Sequence, residues 1–98
     1  MTGNMDYLLD MVKQLQEQLK VMTVKVSAGQ NAVELIMNGN QEVVQISFKP
    51  EILQDPAELA SLAAEAFNEG MRESKQMVRE ELSKMTGGMN IPFVPGLL

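Results

Sequence analysis

The chain has 98 residues, a formal net charge of −5 and 45% hydrophobic residues. This length fits one domain, and the charged fraction of 21% is ordinary for a soluble globular protein. Cysteine and histidine are absent, which excludes disulfides, thiolate metal sites and histidine-based catalysis. No segment approaches the roughly 20 apolar residues of a membrane span and no signal peptide is visible, so we expect a cytoplasmic protein without membrane contact.

The first predicted element is a helix from about Asn4 to Lys20, within an N-terminal unit of residues 1–22. Apolar residues recur there at alternating intervals of four and three, which draws one narrow stripe along the helix. A narrow stripe in a small chain predicts a contact between two copies; the alternative is that it covers the strands of its own chain. The stripe comprises Met1, Met5, Leu8, Val12, Leu15, Leu19 and Met22, and all but Met1 form the predicted dimer interface.

The next segment, residues 23–49, changes to a period of two and predicts a sheet of three short antiparallel strands. Val24 and Val26 mark the first strand, and the runs 33–37 and 44–48 mark the second and third. Between these runs, residues 38–41 read Asn-Gly-Asn-Gln. Asn and Gly tolerate positive φ at little cost, so this segment predicts a hairpin turn.

Residues 55–86 are predicted to form a second helix of roughly 30 residues. Asp55 and Pro56 favour its start, because Asp caps free amides and Pro at the first helical position needs no amide donor. Gly87 and Gly88 are stop signals at its end.

The second helix is too long for the predicted sheet. About 30 residues span roughly 45 Å, whereas strands of about six residues span roughly 20 Å. Part of the helix should therefore project or meet another chain, and Gly70 could bend it or permit a close contact. The apolar residues 87–98, interrupted by proline, predict an extended tail. The predicted fold is α+β in a single domain, 1–98, and its unpartnered apolar stripes indicate a homodimer.

Basic residues on both helices are candidate phosphate contacts. Intervals of three and four place Arg72, Lys75 and Arg79 along one flank of the second helix. From spacing alone a mixed surface is favoured, because Glu69 can reach Arg72 at i+3. Should nucleic-acid binding be indicated on other grounds, the predicted DNA-binding residues are Arg72, Lys75, Arg79, Lys13, Lys20 and Lys84.

Acidic residues offer little for catalysis. Glu65, Glu69 and Glu73 lie on one helix face and could bind a divalent cation, but a solvated face is favoured because one helix rarely encloses a metal. Neither a P-loop nor a dinucleotide fingerprint is present. We therefore predict no catalytic residues, metal, cofactor or small-molecule substrate.

Several local sequences follow one another in a specific order along most of the chain. They are MVKQLQEQL at 11–19, the strand pair joined by Asn38-Gly39, PEIL at 50–53, AFNE at 66–69 and MTGGMNIP at 85–92. In this order they resemble the YbaB/EbfC family of small bacterial nucleoid-associated proteins.

The resemblance implies a homodimer with paired sheets and projecting, tweezer-like helical arms, which binds double-stranded DNA with little sequence preference and helps organise the nucleoid. Genes of this family often lie beside recombinational-repair and replication-clamp-loader genes, which suggests a replication or repair protein as a further partner. The alternative function is a protein-interaction adaptor in replication or repair that does not bind DNA directly; an enzyme is a distant third.

Overall fold

The computed structural model describes residues 3–85, with side chains over residues 6–84. The predicted tail 87–98 and its stop signals lie outside the described residues. The elements are helix α1 (Gly3–Val21), strands β1 (Thr23–Ala28), β2 (Val33–Asn38) and β3 (Val43–Phe48), a short 3-10 helix (Pro50–Gln54) and helix α2 (Pro56–Met85). This order confirms the predicted helix, three-stranded antiparallel sheet and long C-terminal helix.

The sheet has the order β1-β2-β3, with antiparallel neighbours. Its register places Val26, Leu35 and Ile46 in a row across the three strands. Val26 and Leu35 are buried together with Ala66 of α2. Because side chains alternate between the faces of a strand, the whole row lies on the face against which α2 packs. The main core lies between α2 and this face, and its buried members are Val26, Ala28, Val33, Leu35, Met37 and Ala66.

Helix α2 approaches the sheet along small residues spaced four apart. Ala66, Gly70 and Ser74 are buried on this line. A Cβ at Gly70 would lie 3.0 Å from Cδ2 of Leu35, so glycine permits the helix and β2 to pack closely. The helix continues through Gly70 without interruption. At its start, the Glu58 amide donates to Oδ1 of Asp55 at 3.1 Å, which confirms the predicted cap.

The second half of α1 packs against the C-terminal part of α2. Leu15, Leu19 and Val78 form a second buried cluster, and partly buried Met22 and Leu82 pack around it. Gln18 Nε2 donates to Glu81 Oε1 at 2.8 Å beside this cluster. The part of α2 that extends beyond the sheet is therefore covered by α1 of the same chain, and the molecule is elongated, 61 × 23 × 19 Å.

The turn between β2 and β3 differs from the prediction in the role of its glycine. The positive φ falls on Gln41, at 59°, and Gly39 lacks one. A Cβ at Gly39 would lie 2.9 Å from both the Cβ and the carbonyl oxygen of Leu19. Gly39 is therefore required by its close approach to α1, a tertiary contact that the local sequence does not reveal.

Strand β3 contains a bulge that the predicted alternation did not include. Ile36 pairs with Gln45, whereas the next residue, Met37, pairs with Val43, so Val44 is the extra residue. The bulge brings Val43 to the same face as Ile46.

Candidate nucleic-acid interface

Three cations of α2 lie on the side of the helix that faces away from the sheet. With 3.6 residues per turn, Arg72, Lys75 and Arg79 fall within an arc of about 60°, centred far from Gly70 on the opposite side. Arg72 and Arg79 are exposed and Lys75 is half-buried. These three residues, called the α2 flank below, direct positive charge toward solvent.

One member of the α2 flank is paired with an acid. Arg72 Nε donates to Oε2 of Glu69 at 3.2 Å, and Nη2 of the same guanidinium donates to the same oxygen. The predicted i+3 pair is therefore confirmed. The hydrogen bond from Arg72 and its positive charge hold the pKa of Glu69 below its ordinary value. Among residues 3–85 the ion pairs are Arg72–Glu69 and Lys25–Glu34, so Lys75 and Arg79 have no acidic partner there.

The other predicted DNA-binding residues do not join the α2 flank. Lys13 and Lys20 are exposed and lie about 160° and 140° around α1 from buried Leu15, so they face away from α2. Lys84 is exposed in the last turn of α2. One chain therefore presents its helical cations on separate surfaces, and the α2 flank holds the largest group.

Two further cations were not among the predicted contacts, and both are engaged with neighbouring groups. Lys25 Nζ lies 3.0 Å from Glu34 Oε2, on the sheet face opposite α2. Lys49 Nζ donates to the carbonyl oxygen of Gln30 at 3.2 Å. Neither extends the α2 flank.

The predicted acidic group lies along a shallow cleft between α2 and β1. Glu65, Glu69 and Glu73 line it together with Lys25 and Arg72. Within residues 3–85 no group of three or more acidic side chains is arranged to hold a metal ion. In the same part of the chain, no helix is both long and apolar enough to cross a membrane.

Strand β3 presents an apolar surface that the described residues leave open. Val43, Ile46 and Phe48 are 42%, 42% and 39% exposed. They pair with buried residues of β2 and so lie on the α2 side of the sheet, but α2 packs over β1 and β2. As an edge strand, β3 also leaves one row of amides and carbonyls without a strand partner among residues 3–85. These three residues are called the β3 shelf.

Helix α2 adds an aromatic side chain beside the β3 shelf. Glu69 and Arg72 line the cleft next to β1, on one flank of α2. Phe67 lies on the other flank, about 60° around the helix from Gly70, and is 42% exposed. Sequence reasoning missed this surface, because alternation identifies a strand but does not show which part of its apolar face a helix covers. The available signal was a third apolar strand beside a single covering helix.

The residues of the predicted dimer interface divide into two groups. Leu15 and Leu19 are buried against α2 of their own chain, where Met22 also packs. Leu8 and Val12 are 55% and 40% exposed, and the side chain of Met5 lies outside the described residues. The stripe thus provides an intrachain contact in its second half and an open surface in its first half.

Comparison with known proteins agrees with this architecture. Residues 1–89 match the YbaB/EbfC DNA-binding family. A nucleoid-associated protein of Desulforamulus reducens is 37% identical over 94% of this chain and 96% of its own length. One from Syntrophobacter fumaroxidans is 37% identical over 92% of this chain and 86% of its own. The crystal structure of the uncharacterized protein HP0035 from Helicobacter pylori has the same fold, with a TM-score of 0.74 and 21% identity over 86% of this chain and 90% of that one.

The chain therefore belongs to the YbaB/EbfC DNA-binding family. This is a bacterial family of nucleoid-associated, DNA-binding proteins, which is not a class of enzymes.

Proposed function

We propose that the chain forms a homodimer that binds double-stranded DNA in the nucleoid with little sequence preference, through the cations of its helices. The α2 flank is the observation that carries this proposal. It places Arg72, Lys75 and Arg79 on one solvent-facing surface of a chain whose family binds DNA. Exposed Lys13, Lys20 and Lys84 would add contacts from α1 and from the end of α2.

Charge explains why such binding would ignore base sequence. Lysine and arginine contacts with phosphates position a protein on the duplex but do not read the bases. The chain as a whole carries −5, so duplex DNA is repelled except at a local group of cations. Binding through that group releases counterions from the phosphates and should weaken steeply as salt is raised.

The β3 shelf supports the homodimer. A second copy offers an identical edge strand, so two β3 strands can pair about a twofold axis and continue the sheet from one chain into the next. Pairing would satisfy the open row of backbone groups and cover Ile46 and Phe48. Ile46 and Phe48 are 42% and 39% exposed, so burial of the exposed part of each contributes about 1 kcal/mol. Exposed Leu8 and Val12 of α1 remain predicted contacts of the same dimer.

Fluorescence anisotropy with a labelled duplex tests the proposal. The triple variant Arg72→Glu, Lys75→Glu, Arg79→Glu should lose binding at low salt while light scattering still reports a dimer. Two unrelated duplexes of equal length should bind the unaltered protein with similar affinity. No binding by the unaltered protein at low salt, or undiminished binding by the triple variant, would contradict the proposal.

A matched pair of single variants controls for net charge. Arg79→Glu and Lys49→Glu change the charge equally, but Lys49 lies next to the end of β3, away from the α2 flank. Arg79→Glu should weaken binding much more than Lys49→Glu does. Equal losses would show that overall charge, and not the α2 flank, governs binding.

The adaptor function stays the second candidate, because the first half of α1 is apolar as well as exposed. Tyr7, Leu8 and Leu9 are 66%, 55% and 54% exposed, which is more typical of a protein contact than of a phosphate contact. A chain that fails to bind duplex DNA at low salt, yet binds a purified replication or repair protein stoichiometrically, would favour this function.

A further inference from the structure

The turn between β2 and β3 is hydrogen-bonded to both helices, and one of its two hydrogen bonds to α2 is buried. Ser74 of α2 has no exposed surface, and its hydroxyl donates to the carbonyl oxygen of Asn38 at 2.6 Å. The same Oγ accepts from Nε2 of Gln41 at 3.0 Å. Gln41 Nε2 also donates to the Gly39 carbonyl oxygen at 2.8 Å. The Gln41 side chain therefore links the turn backbone to Ser74.

The other side of the turn caps the C-terminal end of α1. The Gly39 amide donates to the carbonyl oxygens of Leu19 at 2.8 Å and Met22 at 3.0 Å. Asn40 Nδ2 donates to the carbonyl oxygen of Gln16 at 3.2 Å. The last carbonyls of a helix lack intrahelical partners, and here the carbonyl of Leu19 accepts from a turn that lies far away in sequence.

Asn38 holds the turn in shape. Its side chain is nearly fully buried, and Oδ1 accepts from the amides of Asn40 at 2.9 Å and Glu42 at 3.0 Å. Its Nδ2 donates to Oε1 of Glu42 at 2.9 Å. All buried side-chain nitrogens and oxygens of the described residues have a hydrogen-bond partner, so the network is complete. Complete buried polar networks fix one arrangement of the elements that they join.

We propose that Ser74, Gln41 and Gly39 are positioning residues that fix the angle between α1 and α2, and through it the spacing of the cations that contact DNA. The three are called the turn clamp. Ser74 lies in sequence between Arg72 and Lys75 of the α2 flank, and Gly39 holds the end of α1 on which Lys20 lies. This inference rests on the proposed DNA-binding function, because the fixed angle sets where the exposed Lys20 surface of α1 lies relative to the α2 flank.

Spin-label distances report the angle without any DNA. The chain has no cysteine, so labels attach only at introduced sites, and exposed Gln14 on α1 and Asn68 on α2 suit this purpose. The labelled chain is mixed with excess unlabelled chain so that distances within one protomer dominate. The parent protein should give one narrow distance distribution, and Ser74→Ala should broaden it.

Two further variants serve as an independent test of the turn clamp and as a control for the substitution itself. Gln41→Gly removes the hydrogen bonds that the side-chain amide donates to Ser74 and Gly39. Because glycine adopts the positive φ of 59° without strain, the turn should keep its backbone conformation. This variant should broaden the distribution as Ser74→Ala does. Ser61→Ala makes the same substitution at an exposed position of α2 and should leave the distribution narrow.

The DNA measurement completes the test. In salt titrations, Ser74→Ala and Gln41→Gly should bind the duplex several-fold more weakly with a shallower salt slope, because fewer phosphates are contacted together. Unchanged distance distributions in both variants would overturn the proposal, and so would broadened distributions with unchanged DNA affinity. Failure of every form to bind DNA would instead count against the proposed function, and the distances would still decide whether the clamp fixes the helices.

Discussion

Glu69 holds Arg72 against the outer surface of α2 through two hydrogen bonds from the guanidinium to Oε2. The pair lies at the edge of the α2 flank, and 66% of the Arg72 side chain remains exposed. A duplex that binds there would compete with Glu69 for Arg72. Glu69 therefore limits the positive charge that the flank offers to phosphate.

Glu69→Gln should strengthen DNA binding and increase its salt dependence. The substitution releases Arg72, and one additional phosphate contact steepens the slope of log K against log salt by about 0.9. Salt titrations by anisotropy measure both effects. Glu51→Gln changes the net charge equally, outside α2, and should leave the slope unchanged. If both variants behave alike, Glu69 does not restrain Arg72.

The pKa of Glu69 should rise toward its ordinary value when Arg72 is replaced by Gln, because the hydrogen bond and the positive charge that favour the carboxylate are lost. A carboxyl with a depressed pKa in the folded state contributes stability above the pKa of the unfolded chain, and this is lost as pH falls through the lower, folded value. Carbon-detected NMR titration of the Glu69 carboxyl measures the change. Arg79→Gln is the control, and an equal rise there would contradict the pairing.

Gly39→Ala should destabilise the fold by about 1–3 kcal/mol, because the new Cβ meets atoms of Leu19 that cannot move independently of α1. Gly70→Ala should cost less, since its Cβ meets flexible side-chain ends and alanine gains about 1 kcal/mol in helix propensity. Chemical denaturation compares the two variants. A larger loss from Gly70→Ala would contradict the close contact at Gly39.

Ile46→Glu should dissociate the dimer, because it puts a charge on the β3 shelf where a second copy is proposed to pack. Because Ile46 is 42% exposed in one chain, its burial at the interface contributes about 1 kcal/mol per copy, and loss from both copies raises the dimer dissociation constant by roughly tenfold or more. Analytical ultracentrifugation measures it. Gln45→Glu adds the same charge on the opposite face of the same strand and should have little effect. An intact Ile46→Glu dimer, with dissociation by Val12→Asp instead, would place the interface on α1.

Periodicity predicted the elements well, because the signals concerned are local. The Asp55 cap, the change of period after α1 and the long stripe of α2 each follow from residues close together in sequence. Leu15 and Leu19 show where local signals end. Their spacing indicates an apolar contact but does not distinguish α2 of the same chain from a second copy. In the structure both residues pack against Val78 of the same chain.

The candidate site was predictable only in part. Spacing alone put Arg72, Lys75 and Arg79 on one flank, because helical geometry is fixed by residue number. The direction of Lys13 and Lys20 away from α2 depends on which face of α1 packs, and the turn clamp depends on contacts between residues as distant in sequence as Asn38 and Ser74. Such contacts leave no periodic pattern.

The salt dependence of duplex binding by Arg79→Gln tests the central claim most directly. Arg79 is exposed on the α2 flank and has no ion-pair partner among residues 3–85, so its removal changes little besides a phosphate contact. The account predicts a slope of log K against log salt that is shallower by about 0.9 for each copy of Arg79 that contacts the duplex. A slope equal to that of the unaltered protein would contradict it.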